Sequence, residues 1–284
     1  MKWILSLLVV CSAWVNATPS FSIIKQQAQL ANAAYAPAEE LAAILKADNF
    51  ELVKHKLLPA TQVSYFLTHV NGVQTVAIRG TANVQNVMVD LDVNLKQDTQ
   101  LGIQVHQGFS SAALAVYHDL QSSIKKDQPI QTTGHSLGGA VALLLGMYLK
   151  QEGYQLASII TFGQPKVTNV GGAQQYSNLP LTRVVTTEDI VPLVPPLSPF
   201  QLKELDIYWH NGEELILMDG EQFALTNGLK SMMRATKIVS VLPSEKNLNA
   251  HKMTTYLNLI NTKLENAKQV PYKTGISIFG LSLD

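Results

Sequence analysis

Apolar residues recur along this chain at two spacings, and the switching between them predicts alternating helices and strands. Ile23, Ile24, Ala28, Leu30, Ala31, Ala34 and Tyr35 fall at near-helical spacing over 22–34, and 38–46 reads as a second helix. Strands are expected at 50–57 and 62–69. The latter meets a third strand, 74–78, across Asn71-Gly72, a pair suited to the positive φ angles of a tight hairpin. Residues 109–126 place Leu114, Tyr117, Leu120 and Ile124 on one helical face. Pro129 to Thr133 then reads as a strand, and the apolar run Ala140 to Leu149 has helical length. Further strands are expected at 156–162, 182–187 and 205–210, with 214–218 as a hairpin partner of the last across Asn211-Gly212. Pro192, Pro195, Pro196 and Pro199 exclude regular structure from 190–200. Helices are expected at 221–238 and 248–264. The pattern implies an α/β fold: a central, mostly parallel sheet with an antiparallel start and helices on both faces. No linker divides it, so 18–284 reads as a single domain.

Between the expected strand at 129–133 and the helix at 140–149 stands Gly134-His135-Ser136-Leu137-Gly138-Gly139. A Gly-x-Ser-x-Gly in that context is a nucleophile elbow, a turn sharp enough to strain the backbone of its serine. Gly134 and Gly138 lack the Cβ atoms that would collide there. Ser136 is therefore the candidate nucleophile.

A serine hydroxyl needs a base to take its proton and an acid to orient that base. In elbow hydrolases the partners follow in the order Ser, Asp or Glu, then His. Downstream of Ser136 stand only two histidines, His210 and His251. His210 ends an expected strand beside a turn, where a structural hydrogen bond suffices. His251 is expected to start a helix after the irregular stretch Pro243 to Asn249 and is the preferred base. For the acid, Glu188 and Asp189 follow the strand ending at Thr187. Asp189 is preferred, with Glu188 a solvated neighbour and Glu204 and Asp206 weaker candidates. The oxyanion of an acyl-transfer intermediate needs N–H donors. Leu137 supplies one from the helix N-terminus, and Thr81, in Arg79-Gly80-Thr81 after strand 74–78, supplies a second. His106 and His135 are expected to satisfy nearby backbone groups rather than to catalyse.

Composition narrows the field. The chain has 284 residues, 21 basic against 21 acidic, and no basic run interleaved with aromatics, so nothing would attract a nucleic acid. Residues 1–17 read as a signal peptide, with Lys2, an apolar run from Trp3 to Val10, and Val15-Asn16-Ala17 before the cut. That run is too short to span a bilayer. Cys11 is the only cysteine, so the mature chain would hold neither disulfides nor thiolate metal sites. No His-Glu-x-x-His or comparable metal spacing occurs, and serine-based acyl transfer requires no cofactor.

Arg79-Gly80-Thr81, Val105-His106-Gln107-Gly108-Phe109, Gly134 to Ala140, Thr161 to Val167 and Asp189-Ile190-Val191-Pro192 follow in the order seen in class 3, fungal-type lipases. The chain resembles that family from about 25 to 265. The resemblance implies an α/β-hydrolase fold and carboxylic ester hydrolysis. It carries the nucleophile onto Ser136, the acid onto Asp189, the base onto His251 and the oxyanion donors onto Thr81 and Leu137. Ile78 stands where family members often have an aromatic, and Glu188 where many have Asn or Gly. The lack of the disulfides usual in fungal members points to a bacterial branch, secreted to the periplasm or beyond.

Val84, Val87, Met88, Leu91 and Leu95 form one face of an amphipathic segment over 84–95. The resemblance implies a lid over the serine here, and the pattern itself fits an ordinary core-facing helix equally well. The expected substrate is a lipid ester, met at a lipid–water interface. A phospholipase or a short-chain or feruloyl-type esterase would use the same triad, and a non-catalytic binding module on a hydrolase scaffold is the rival from outside enzymology.

Overall fold

The computed structural model describes residues 18–81, 94–195, 207–226, 230–231, 234, 244–273, 277–278 and 281–282. The expected signal peptide, most of the amphipathic segment 84–95, Glu204 and Asp206 lie outside the described residues.

The chain opens with α1 (Phe21–Ala33), capped by the Ser20 side chain on the Ile23 N–H, and α2 (Ala38–Ala47). Three strands follow: β1 (Glu51–Leu58), β2 (Val63–Val70) and β3 (Val73–Ile78). They pair antiparallel, and β2 turns into β3 through Asn71 and Gly72, both at positive φ. Next come β4 (Leu95–Asp98), β5 (Ile103–His106), α3 (Gln107–Leu120) and β6 (Ile130–His135). Then follow α4 (Leu137–Gln151), β7 (Leu156–Phe162), β8 (Thr168–Asn169), α5 (Val170–Gln175) and β9 (Leu181–Thr186). The last part holds β10 (Tyr208–Trp209), β11 (Glu213–Leu217), β12 (Gln222–Thr226), α6 (Glu245–Ala250), α7 (Met253–Asn261) and β13 (Lys268–Gln269).

Among the described residues the main sheet runs β1-β2-β3-β6-β7-β9-β11-β12-β13. It is parallel from β3 through β11, as the alternation of strands and helices predicts. Side chains alternate between its faces. Tyr65, Leu67, Val76 and Ile78 pack toward α3 and α4, whereas Phe66 and Ala77 pack with Leu30, Leu41 and Leu45 of α1 and α2. Ile160, Phe162, Val184 and Leu215 meet α1 and α7 on that second face. Helix α4 is buried from Gly138 to Leu149, which is why its sequence is apolar all round rather than striped.

Five expectations from the sequence fail. Helix α3 stops at Leu120 instead of running to 126. The 205–210 strand is only Tyr208–Trp209, and it joins a smaller sheet against β8. The hairpin partner of β11 is β12, so 222–226 is a strand where a helix was expected. Pairing with β11 selects the strand, since so short a run fits either period. Residues 248–264 divide into two helices, α6 and α7, with His251 at the break as the C-cap of α6.

Candidate active site

Strand β6 delivers Ser136 into a forced conformation. Its φ is 59° and its ψ −131°, a region non-glycine residues rarely occupy, and its N–H donates to the Phe162 carbonyl at 2.9 Å. Close packing makes that turn obligatory. A Cβ at Gly134 would overlap the Gly138 backbone, and one at Gly138 would overlap the Ile78 carbonyl at the end of β3. The elbow is thereby locked to both parallel neighbours of β6.

Asp189 follows β9 and is fully buried. Its Oδ2 accepts from His251 Nδ1 at 2.8 Å and from the Tyr256 hydroxyl at 2.6 Å, while Oδ1 accepts the Val191 N–H at 2.9 Å. Burial alone would push the carboxyl pKa up. The His251 imidazole and these donors outweigh it and hold it below the usual carboxylate range. Asp189 therefore stays ionised at neutral pH, and as an acceptor it holds a proton on His251 Nδ1. The opposite nitrogen, Nε2, is buried and has no hydrogen-bond partner.

Ser136 and His251 meet through shared neighbours. His135, next to the serine, lies with its ring centroid 4.4 Å from that of His251 and donates from Nε2 to the His251 carbonyl at 2.7 Å. Gly163, directly after the residue that holds the Ser136 N–H, faces the imidazole on its other side. A Cβ there would stand 2.8 Å from His251 Cε1 and 2.8 Å from Asp189 Oδ2. No direct bond joins the serine hydroxyl to Nε2 in this conformation, as is common in ligand-free sites. Ser136 is also only 1% exposed.

Gly80 packs against Ser136, so Thr81 follows beside the elbow, and Leu137 begins α4 immediately after the serine. The alternative residues lie elsewhere or are otherwise engaged. Glu188 is exposed and pairs with Lys246 at 3.1 Å. His210 donates from Nε2 to the Pro192 carbonyl at 2.6 Å, and burial first, then Arg183 and Lys166, push its pKa well below the usual value. His106 caps α3 by accepting the Phe109 N–H.

Three contributors escaped the sequence reading. Tyr256 bonds the acid, yet nothing distinguishes it from other tyrosines before the fold is known. Gly163 lies inside a motif, but its role appears only as a collision avoided. Lys166, buried, donates to the carbonyls of Leu193 at 2.7 Å and Pro195 at 2.8 Å and so ties down the loop after Asp189.

Residues 75–198 match the family model lipase (class 3). A lipase of Rhizomucor miehei is 32% identical over 147 residues, covering 47% of this chain and 40% of the relative. A secreted mono- and diacylglycerol lipase of Fusarium solani is 28% identical over 172 residues, covering 54% of this chain and 51% of the relative. The matches thus span roughly half or less of these curated relatives. Among solved structures, a lipase from Rhizopus microsporus var. chinensis superposes with a TM-score of 0.59 at 28% identity, covering 69% of this chain and 74% of that one. Lipase II from Rhizopus niveus gives 0.58 at 25%, covering 70% and 81%. With the elbow between β6 and α4 and the parallel sheet that carries it, the chain has an α/β-hydrolase fold and is similar, over residues 75–198, to class 3 lipases.

Proposed function

We propose that this protein is a serine hydrolase of lipid carboxylic esters, with Ser136, His251 and Asp189 as its triad. The observation that carries the reading is the buried Asp189–His251 bond, whose imidazole keeps an unpartnered Nε2 and packs against His135, the neighbour of a serine in a strained turn. Ser136 Oγ attacks the ester carbonyl while His251 Nε2 takes its proton. The tetrahedral oxyanion accepts from the Leu137 N–H and from Thr81. Collapse breaks the ester bond, and His251 passes the proton to the departing alkoxide, leaving an acyl-serine. Water then attacks with His251 again as base, releasing the carboxylic acid and restoring the hydroxyl. Asp189 stays ionised and stabilises the imidazolium throughout.

The names of the relatives, lipase and mono- and diacylglycerol lipase, support glycerolipid esters as substrates over phospholipids or plant-wall esters. The burial of Ser136 supports action at a lipid–water interface rather than on freely dissolved esters. Residues 1–17 are proposed as an export signal, placing the enzyme outside the cytoplasm. A fluorophosphonate probe should label the wild type and spare Ser136→Ala. Hydrolysis of a triacylglycerol emulsion should rise sharply above substrate solubility. Equal silence of both proteins toward the probe would leave a binding module as the better reading.

A further inference from the structure

Tyr35 and His135 direct their polar atoms at the site's own segments. The Tyr35 hydroxyl lies 2.8 Å from His135 Nδ1, and His135 Nε2 lies 2.7 Å from the His251 carbonyl oxygen. A carbonyl only accepts, so Nε2 carries the proton and Nδ1 accepts from Tyr35. Both ends fix the tautomer. Gly80 packs so closely on this pair that a Cβ would overlap both Tyr35 Oη and the His135 carbonyl. One continuous chain of bonds therefore runs from Tyr35 through His135 to the backbone of His251, with the Gly80-Thr81 loop packed against its Tyr35 end. It joins three segments far apart in sequence.

We propose that His135, held by Tyr35, is a positioning residue that sets the His251 imidazole and the Thr81 loop relative to Ser136. The inference rests on the ester-hydrolase reading above. Burial first, and His251 beside it second, hold the His135 pKa down to about 3, so the ring stays neutral while its neighbour gains and loses a proton. A second cation 4.4 Å away would oppose the imidazolium that forms during catalysis. Neutrality and a fixed Nε2–H are what this place requires.

The test compares Tyr35→Phe, His135→Phe, His135→Gln and the double Phe variant on a soluble p-nitrophenyl ester, with folded enzyme counted by melting curves and fluorophosphonate titration. In His135→Phe, kcat should fall about ten- to a hundredfold with KM changed by less than about threefold, as expected for a displaced catalytic group. Tyr35→Phe, which removes one hydroxyl, should lose about tenfold. Glutamine can present an N–H near the Nε2 position, so His135→Gln should recover part of the loss. The double variant should be no worse than the poorer single, because both residues act through one chain of bonds. Single variants with kcat within about threefold of wild type, or losses that multiply in the double, would overturn the proposal. So would losses that vanish once the folded fraction is counted. A wild type that neither cleaves the ester nor takes the label would instead remove the hydrolase reading beneath it.

Discussion

Replacing Asp189 by Asn is the sharpest single test of the site, because every group that touches this carboxylate is a donor. Oδ2 receives His251 Nδ1–H and the Tyr256 hydroxyl, and Oδ1 receives the Val191 N–H. An amide offers one acceptor and one donor. If its oxygen faces Val191, its NH2 faces Nδ1, and the imidazole shifts its proton to Nε2, the atom that must accept from Ser136. If its oxygen faces the imidazole, its NH2 opposes the buried Val191 N–H. Either orientation leaves the emerging imidazolium without its counter-charge. At an effective dielectric of about 20 and a charge separation of about 4 Å that attraction is worth about 4 kcal/mol. At about 1.4 kcal/mol per decade, this corresponds to a loss of about three orders of magnitude in kcat.

The assay is steady-state hydrolysis of a p-nitrophenyl ester, with melting curves showing that Asp189→Asn remains folded. KM should change little, since the lost interaction strengthens only as the imidazole is protonated. Glu188→Gln is the internal control. That side chain is exposed, and its pairing with Lys246 is screened, so activity should stay within about twofold of wild type. A folded Asp189→Asn protein retaining more than about a tenth of wild-type kcat would refute the assignment. So would a larger loss from Glu188→Gln.

Gly163→Ala should lower kcat by about tenfold or more, because the added methyl would press on the imidazole and the carboxylate and φ is +56°; unchanged kinetics would show that the close packing is dispensable. Glu214 accepts from Arg183 at 3.3 Å, Arg234 at 3.0 Å and Thr226 at 2.8 Å, all buried, so Glu214→Gln should cost about 3–5 kcal/mol in denaturant unfolding. The two arginines, against the opposing effect of burial, hold the Glu214 pKa well below the usual range. A depressed carboxylate stabilises above its unfolded pKa of about 4.3, and that stability drains away as pH falls further; Glu214→Gln should flatten this acid limb. Burial lowers Lys166 to about 7, so between there and its unfolded value of about 10.4 the unfolded chain binds the extra proton. Stability should rise with pH across 7–10, by up to about 1.4 kcal/mol per unit, and the rise should shrink in Lys166→Met.

How much of this was legible before the fold depended on the range of the signal. The elbow was readable because its causes are local: a strand, glycines that avoid collisions, and an apolar helix stand within about twenty residues of Ser136. The β2–β3 hairpin was readable for the same reason, from two turn residues. Beyond β9 the reading faltered. Residues 222–226 fit both periods in so short a window, and only pairing with β11 selects the strand. His251 could be chosen over His210 by order and resemblance, but sequence could not place it at a break between two helices, because the break is set by tertiary contacts. Its carbonyl bonds His135 and its ring bonds Asp189, residues 116 and 62 positions away. The same distance hid Tyr256, Gly163 and Tyr35, whose roles consist entirely of contacts with remote segments. Chemistry-bearing side chains announce themselves by type and local context, whereas the residues that hold them in register are recognisable only once the sheet has brought the segments together. For this chain the division falls inside Gly134-His135-Ser136: the serine is legible from the turn it occupies, and its neighbour's part depends on a carbonyl that the sequence keeps more than a hundred residues away.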